Sequence, residues 1–452
     1  SRISNYLLFI PFLATQILLT IFGFFHLNET VGEYFRIDRI GMIFLTVNTI
    51  ISITTVIHSV IYSDKRKEDS RETAIHNAAL VIFISTMSGV LMSDHLGLLW
   101  AFLEATTLTA SVLIYHERNE GSLEAAWKYF FVCSMGIALS FVGILFLGIA
   151  GQEKGMLSFS IGALSDIASK LDPMWLKMSF LFVLTGFSVK MGVAPLFTVD
   201  IGAKDVSPSP IGAIFSGSLL NVGFVAIFRF YEIFSGSIQQ WMNTVLLITG
   251  ILSIFFAAIY IIRSRNYKKI FAYSSVEHGG IAMIALAAGG IGYFAVILHL
   301  IFHAFTKASL FYQIGQVSRT FRGKSFEDTG GYFNLNPAGG LVLLIGFFCI
   351  TALPPGGLFI SELMTFRALF EAGRWEIAAA VLLLLLFIFA YLSKGFLKLL
   401  FTPLKKDFIS YEKVNSLESL TQFVLLGMVL YLGIFPPQEF TLFIQQAVQH
   451  LP

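Results

Sequence analysis

Thirteen long apolar runs, one after another, leave this chain little choice of environment. They fall near residues 3–25, 40–62, 74–93, 97–115, 124–150, 174–195, 210–233, 243–263, 269–289, 292–317, 340–372, 376–400 and 418–435. A helix needs about 20 apolar residues to cross a bilayer, and a spanning segment must satisfy its own backbone hydrogen bonds. Charged residues make up only 13% of the chain, against roughly 25% in a soluble domain. The chain therefore reads as an all-α polytopic membrane protein. The connections between runs reach about two dozen residues at most, too few for a soluble domain.

Charge placement sets the topology. If every run crosses once, alternate connections share a side. One side then carries Lys65, Arg66, Lys67, Arg71, Arg263, Arg265, Lys268, Lys269, Arg319, Arg322, Lys324, Lys398, Lys405, Lys406 and Lys413. The other carries little beyond Arg36, Arg39, Lys154 and Arg374. The positive-inside rule puts the basic side in the cytoplasm. The formal net charge is only +2 and the charges lie in short clusters between apolar runs, so nucleic acid is not an expected partner. Cys133 and Cys349 stand alone in separate runs. No cofactor, redox centre or metal is expected within the chain.

Two runs break their own backbone. The first does so at Pro195, five residues after Lys190. The second does so at Pro354-Pro355, in "TALPPGGLFISELM", shortly before Glu362. Proline frees a carbonyl one turn earlier, and at membrane depth that is tolerated only inside the protein or beside water. Each break falls in the fourth run of a set of five, 74–233 and 243–400. Five being odd, the second set enters from the opposite side. The chain thus divides into 1–73, two inverted five-helix repeats at 74–233 and 243–400, and 401–452. Paired broken helices in inverted repeats mark ion sites in transporters.

Ionisable residues lie within the runs: Glu104, Lys190, His299, His303, Lys307 and Glu362. A charge at the bilayer centre costs about 2.5–3.5 kcal/mol on insertion scales. His299, His303 and Lys307 recur every four residues and share a helix face. Histidine titrates near neutrality, and a buried lysine or glutamate moves with its neighbours. The pattern suits a proton relay in which Glu104 switches Lys190. Plainer readings coexist. One Glu–Lys pair can be a structural staple. His299 and His303, at i and i+4, could hold zinc, but no third ligand is evident. Glu277-His278, early in its run, could serve only neighbouring loops.

The stretches "RNYKKIFAYSSVEHGGI", "ILHLIFHAFTKASLFYQIG" and "TALPPGGLFISELM" resemble the antiporter-like subunits of complex I, of group 4 membrane-bound [NiFe] hydrogenases and of multisubunit Na⁺/H⁺ antiporters. "EATTLTASVLIYHERNEG" and "SPSPIGAIFSGSLLNVGF" are most similar to the F-type membrane component of hydrogenase-4. The resemblance implies about fourteen helices, so that one N-terminal helix precedes the sequence given. It implies a subunit that moves H⁺ or Na⁺ without redox chemistry of its own, beside other membrane subunits and a peripheral redox arm. A subunit of a multisubunit antiporter, a membrane partner energising inorganic-carbon uptake and a degenerate scaffold are the alternatives. By motif, the resemblance assigns the relay to Glu104, Lys190, Lys268, His299, His303, Lys307 and Glu362. The segment after Pro195 departs from the family's pattern at Phe197, Ile201 and Gly202, and some relatives carry lysine where this chain has Asn221. Asp200, Lys204 and Asp205 are candidate substitutes for the access route there.

Overall fold

The computed structural model describes residues 6–66, 69–152, 155, 158–404 and 415–452. Ile3 at the head of the first run, and the basic-side and opposite-side residues Lys67, Lys154, Lys405, Lys406 and Lys413, lie outside them. The described helices are α1 (Phe9–Phe25), α2 (Arg39–Arg66), α3 (Ser70–Met92), α4 (Leu96–Ile114), α5 (Glu120–Gln152), α6 (Ile161–Ile167), α7 (Pro173–Met191) and α8 (Thr198–Val206). There follow a long run α9 (Ser209–Arg263), then α10 (Tyr267–Ala288), α11 (Ile291–Phe321), α12 (Tyr332–Leu335), α13 (Pro337–Ile350), α14 (Gly357–Glu371), α15 (Trp375–Phe401), α16 (Leu420–Ile434) and α17 (Gln438–Val448). The one sheet among the described residues is a small antiparallel ribbon, β1 (Thr30–Val31) with β2 (Phe35–Arg36).

Helix starts follow from local chemistry. Asp172 accepts from Met174 N at 2.7 Å, with Pro173 opening α7. Asn336 accepts from Gly339 N at 3.1 Å, with Pro337 opening α13. Asn266 accepts from the amides of Lys268 and Lys269 at 2.9 and 3.2 Å. Each cap satisfies amides that have no partner within the helix.

Ten of the described helical segments are long and apolar enough to cross a membrane, and α1 and α13 are shorter apolar helices. The 55 residues of α9 would extend about 80 Å as a straight helix, against a hydrocarbon core of about 30 Å. The run is in fact two spans. Ile238 leaves helical geometry (φ −129°, ψ 24°), and the Tyr231 hydroxyl donates to Asn243 Oδ1 at 2.9 Å. Twelve helical residues would hold those positions about 18 Å apart, so the chain doubles back. With α13 and α14 taken as one broken span, the thirteen expected crossings are all present.

Contacts between connections confirm the alternation. On one face Phe35 bridges Ser93, His95 bridges Ser160, Tyr231 bonds Tyr293 at 3.0 Å and Ser237 donates to Ala168 O at 2.9 Å. On the other Asn266 bridges Ser325, Arg319 pairs with Glu418, and Lys324 donates to Asp205 O at 2.7 Å. The basic connections meet on this second face. Within the bundle α10 and α11 are 94% buried over their apolar windows, whereas α15 is 22% buried. The first two form the central post; the last faces outward.

Candidate functional site

The two breaks occupy 192–197 and 351–356, and each contains a cis X–Pro bond. Pro195 lacks the N–H that would have bonded Met191 O, and Pro354 the one for Ile350 O. Both carbonyls turn to α10. Ile350 O accepts from His278 Nε2 at 3.0 Å. Met191 O lies against Gly279, 3.8 Å from where a Cβ would stand. The amide of Ala194, just before the first proline, donates to Ser253 Oγ at 2.9 Å. Glu277-His278-Gly279 therefore stands between the two breaks. His278 is eleven residues into α10, or about 16 Å, which is mid-membrane and far from any loop.

From α4 inward, Glu104 is half-buried and accepts from Ser134 Oγ at 2.6 Å and Thr107 Oγ1 at 3.4 Å. Lys190, at the end of α7, is buried with its Nζ lacking any protein hydrogen-bond partner and lying 5.3 Å from the centroid of the Tyr129 ring. Glu104 is thus turned to α5 and makes no hydrogen bond to Lys190.

The segment after Pro195 forms helix α8, laid inside the bundle. Asp200 and Lys204 form a salt bridge along it with exposures of only 6% and 1%, so they sit deeper than a surface access route. Asp200 also lies against Gly192, whose φ of +72° ends α7; a Cβ there would stand 3.0 Å from Asp200 Oδ2. Asp200 couples electrostatically to both Lys190 and Lys307. Lys307 Nζ donates to Phe271 O at 2.6 Å. Asn221 is buried with both amide atoms unpartnered, two residues before Gly223, which packs on the end of α7.

Beyond Lys307 the line turns into a histidine cluster. His303 is wholly buried, has neither ring nitrogen bonded, and lies 5.1 Å from His278, ring to ring. His278 Nδ1 and His299 Nε2 are 3.2 Å apart, His299 Nδ1 is 3.1 Å from Ser361 Oγ, and Glu362 Oε1 is 3.8 Å from His278 Nδ1. A small cavity of about 30 Å³, lined by Glu277, Glu362, Ile350 and Thr351, adjoins them. Lys268 stands apart from this line. Its Nζ donates to Ser207 O at 2.6 Å, at the basic face. Nearby Asp205 accepts from Asn266 Nδ2 at 2.9 Å, Lys324 at 3.4 Å and Lys269 at 3.6 Å.

The structure thus places Lys190, Asp200, Lys204, Lys307, His303, His299 and Glu362 in one buried succession, with Glu104 half-buried at its α4 end, and puts Lys268 and Asp205 at the basic face. Sequence reading did not give His278 its central place; its depth within α10 was the available signal. Buried polar groups are nearly always bonded. The unpartnered side-chain atoms of Lys190, Asn221, Glu277 and His303 stand out against that rule.

Known proteins share this plan. The family described as NADH:quinone oxidoreductase/Mrp antiporter, transmembrane, matches residues 93–388. The chain belongs to that family. The matched part of this antiporter-like membrane protein holds every residue of the buried succession. The chain is 32% identical over 364 residues to a hydrogenase-4 component F homolog of Methylacidiphilum infernorum, covering 78% of this chain and 76% of that one. It is 26% identical over 430 residues to Na⁺/H⁺ antiporter subunit A1 of Staphylococcus aureus, covering 88% of this chain but 52% of that longer protein. In fold it resembles a chain of the archaeal membrane-bound sulfane sulfur reductase (TM-score 0.85, 20% identity, 97% and 91% covered). It likewise resembles a chain of the Mrp complex of Dietzia (0.85, 15%, 99% and 92%) and one of respiratory complex I of Thermus thermophilus (0.79, 19%, 95% and 92%).

Proposed function

We propose that this chain translocates protons across the inner membrane of a prokaryote as one membrane subunit of a larger complex, of the group 4 hydrogenase or complex I-like kind. The supporting observation is the set of buried titratable groups gathered around two broken helices. In this reading Lys268 and Asp205 form the cytoplasmic mouth. The ammonium of Lys190 and the Asp200–Lys204 pair form the first half of the relay. Lys307, the three histidines and Glu362 form the second. A proton arriving near Lys190 changes the field on Asp200, which is shared with Lys307, so one half can load while the other releases. Residues 74–233 and 243–400 act as inverted repeats joined through α10.

The partners are other membrane subunits and, through them, a peripheral redox arm. The 32% match to a hydrogenase-4 component F homolog favours that assembly. The match to part of a Na⁺/H⁺ antiporter supports the second reading, Na⁺/H⁺ exchange driven by an existing gradient.

The test is coupled transport by the intact complex in sealed vesicles, read with a pH-sensitive dye. Lys190→Ala and Glu362→Ala are each expected to lower proton movement at least tenfold while electron transfer partly persists. Full transport in both variants overturns the relay. Strict dependence on Na⁺ selects the second reading.

A further inference from the structure

We propose that His278, His299 and Glu362 form a binding site for a zinc-class divalent cation. This site is distinct from the His299/His303 pair that sequence spacing suggests. Its three ligand atoms, one from each side chain, lie within 4.8 Å of one another. Zinc–nitrogen bonds of about 2.0–2.1 Å in a tetrahedron put neighbouring ligand atoms about 3.3 Å apart. The observed His278 Nδ1–His299 Nε2 separation is 3.2 Å, and Glu362 Oε1 is 3.8 Å from His278 Nδ1. His303 is not in this set: its ring lies 5.1 Å from that of His278, but the clustered ligand atoms are those of His278, His299 and Glu362.

The outer shell fits as well. Metal-bound histidines hold their second ring nitrogen against a carbonyl, carboxylate or hydroxyl. His278 Nε2 is bound to Ile350 O at 3.0 Å, and His299 Nδ1 faces Ser361 Oγ at 3.1 Å. Because a carbonyl only accepts, the His278 proton is on Nε2 and its Nδ1 lone pair is free for a metal. His299 needs its proton on Nδ1, donating to Ser361 Oγ, whose own hydroxyl donates to Leu358 O at 3.0 Å. Binding to the two neutral imidazoles then needs only a tautomer shift of His299, and Glu362 must be ionised.

Beside Glu362 a cavity of about 30 Å³ is large enough for one water. It is also lined by Glu277, which is 5% exposed and has an unpartnered Oε2. Two carboxylates balance a divalent charge, and two imidazoles select zinc-class ions over magnesium or calcium. Occupation would hold Glu362 and two histidines in one rigid set. That consequence, a block of ion movement, rests on the relay reading; the binding itself does not.

The experiment is equilibrium dialysis of the chelator-washed complex, in detergent, against micromolar Zn²⁺, with bound metal measured by mass spectrometry. The expected result is one zinc per chain in the wild type and in His303→Gln, and at least tenfold weaker binding in His278→Gln, His299→Gln and Glu362→Gln. Cobalt bound to the wild type should give intense tetrahedral visible bands, and zinc X-ray absorption should show two imidazoles. These spectra decide the matter even if a variant fails to assemble. Equal zinc uptake by wild type and the three ligand variants overturns the site, as does an absorption spectrum without imidazole scattering. No transport is read, so an empty site leaves the relay standing and a failed relay leaves the site standing.

Discussion

Arg229 shows what a buried charge does when carboxylates meet it. Its guanidinium donates to both oxygens of Asp38 at 2.5 and 2.7 Å and to Glu232 at 3.1 Å, and Glu232 also meets His450 at 2.7 Å. Burial by itself would raise the Asp38 carboxyl, but the Arg229 charge and hydrogen bonds, with the Gly41 amide, hold it below the ordinary carboxylate range. A depressed carboxyl stabilises the fold above its unfolded pKa and loses that contribution as pH falls below about 4. Arg229→Ala strands two carboxylates and should cost about 3–5 kcal/mol. Thermal unfolding in detergent should show the lower stability, and the variant should lack the wild type's added loss between pH 5 and pH 3. Lys190 is the opposite case, an ammonium without a bond partner. Sequence alone flags both kinds as intramembrane charges. It does not separate them, because partners such as Asp38 lie 191 residues away and depend on how helices are rotated about their axes.

At the scale of helices, the spans and breaks were legible because apolar length, proline and capping residues act locally. The contacts across the breaks were not. Glu277-His278 read as early in its run, yet it reaches the centre of the bundle. In the segment 198–206 the Asp200–Lys204 pair lets a polar helix lie buried. One close approach positions this region. A Cβ on Gly223 would stand 2.5 Å from Met191 N and 2.7 Å from Lys190 C, backbone atoms that cannot step aside. Gly223→Ala should therefore push α9 off the end of α7, cost about 1–3 kcal/mol and displace Lys190. Gly427 on α16 has nothing within 4 Å of such a Cβ, so Gly427→Ala should leave stability and transport unchanged. Comparing unfolding midpoints and vesicle transport for the two substitutions checks the contact.

At the scale of the whole molecule, thirteen crossings put Glu327 and Arg374 on opposite faces. Glu327 is an exposed residue on the basic side, and Arg374 is exposed between α14 and α15. Cys133 and Cys349 are both buried and should react little. Arg374→Cys in whole cells should take a membrane-impermeant maleimide, whereas Glu327→Cys should take it only in inverted vesicles. Labelling of the reverse pattern would turn the molecule over in the membrane. The overall architecture was the most legible feature, since alternation of basic and non-basic connections is a property of the chain as a string. The order of groups along the buried succession depends on packing and was not.

His278 and Gly279 are consecutive on α10, so they point about 100° apart around its axis, and each answers to a different proline break. A turn of that helix about its axis would therefore move both of these contacts at once.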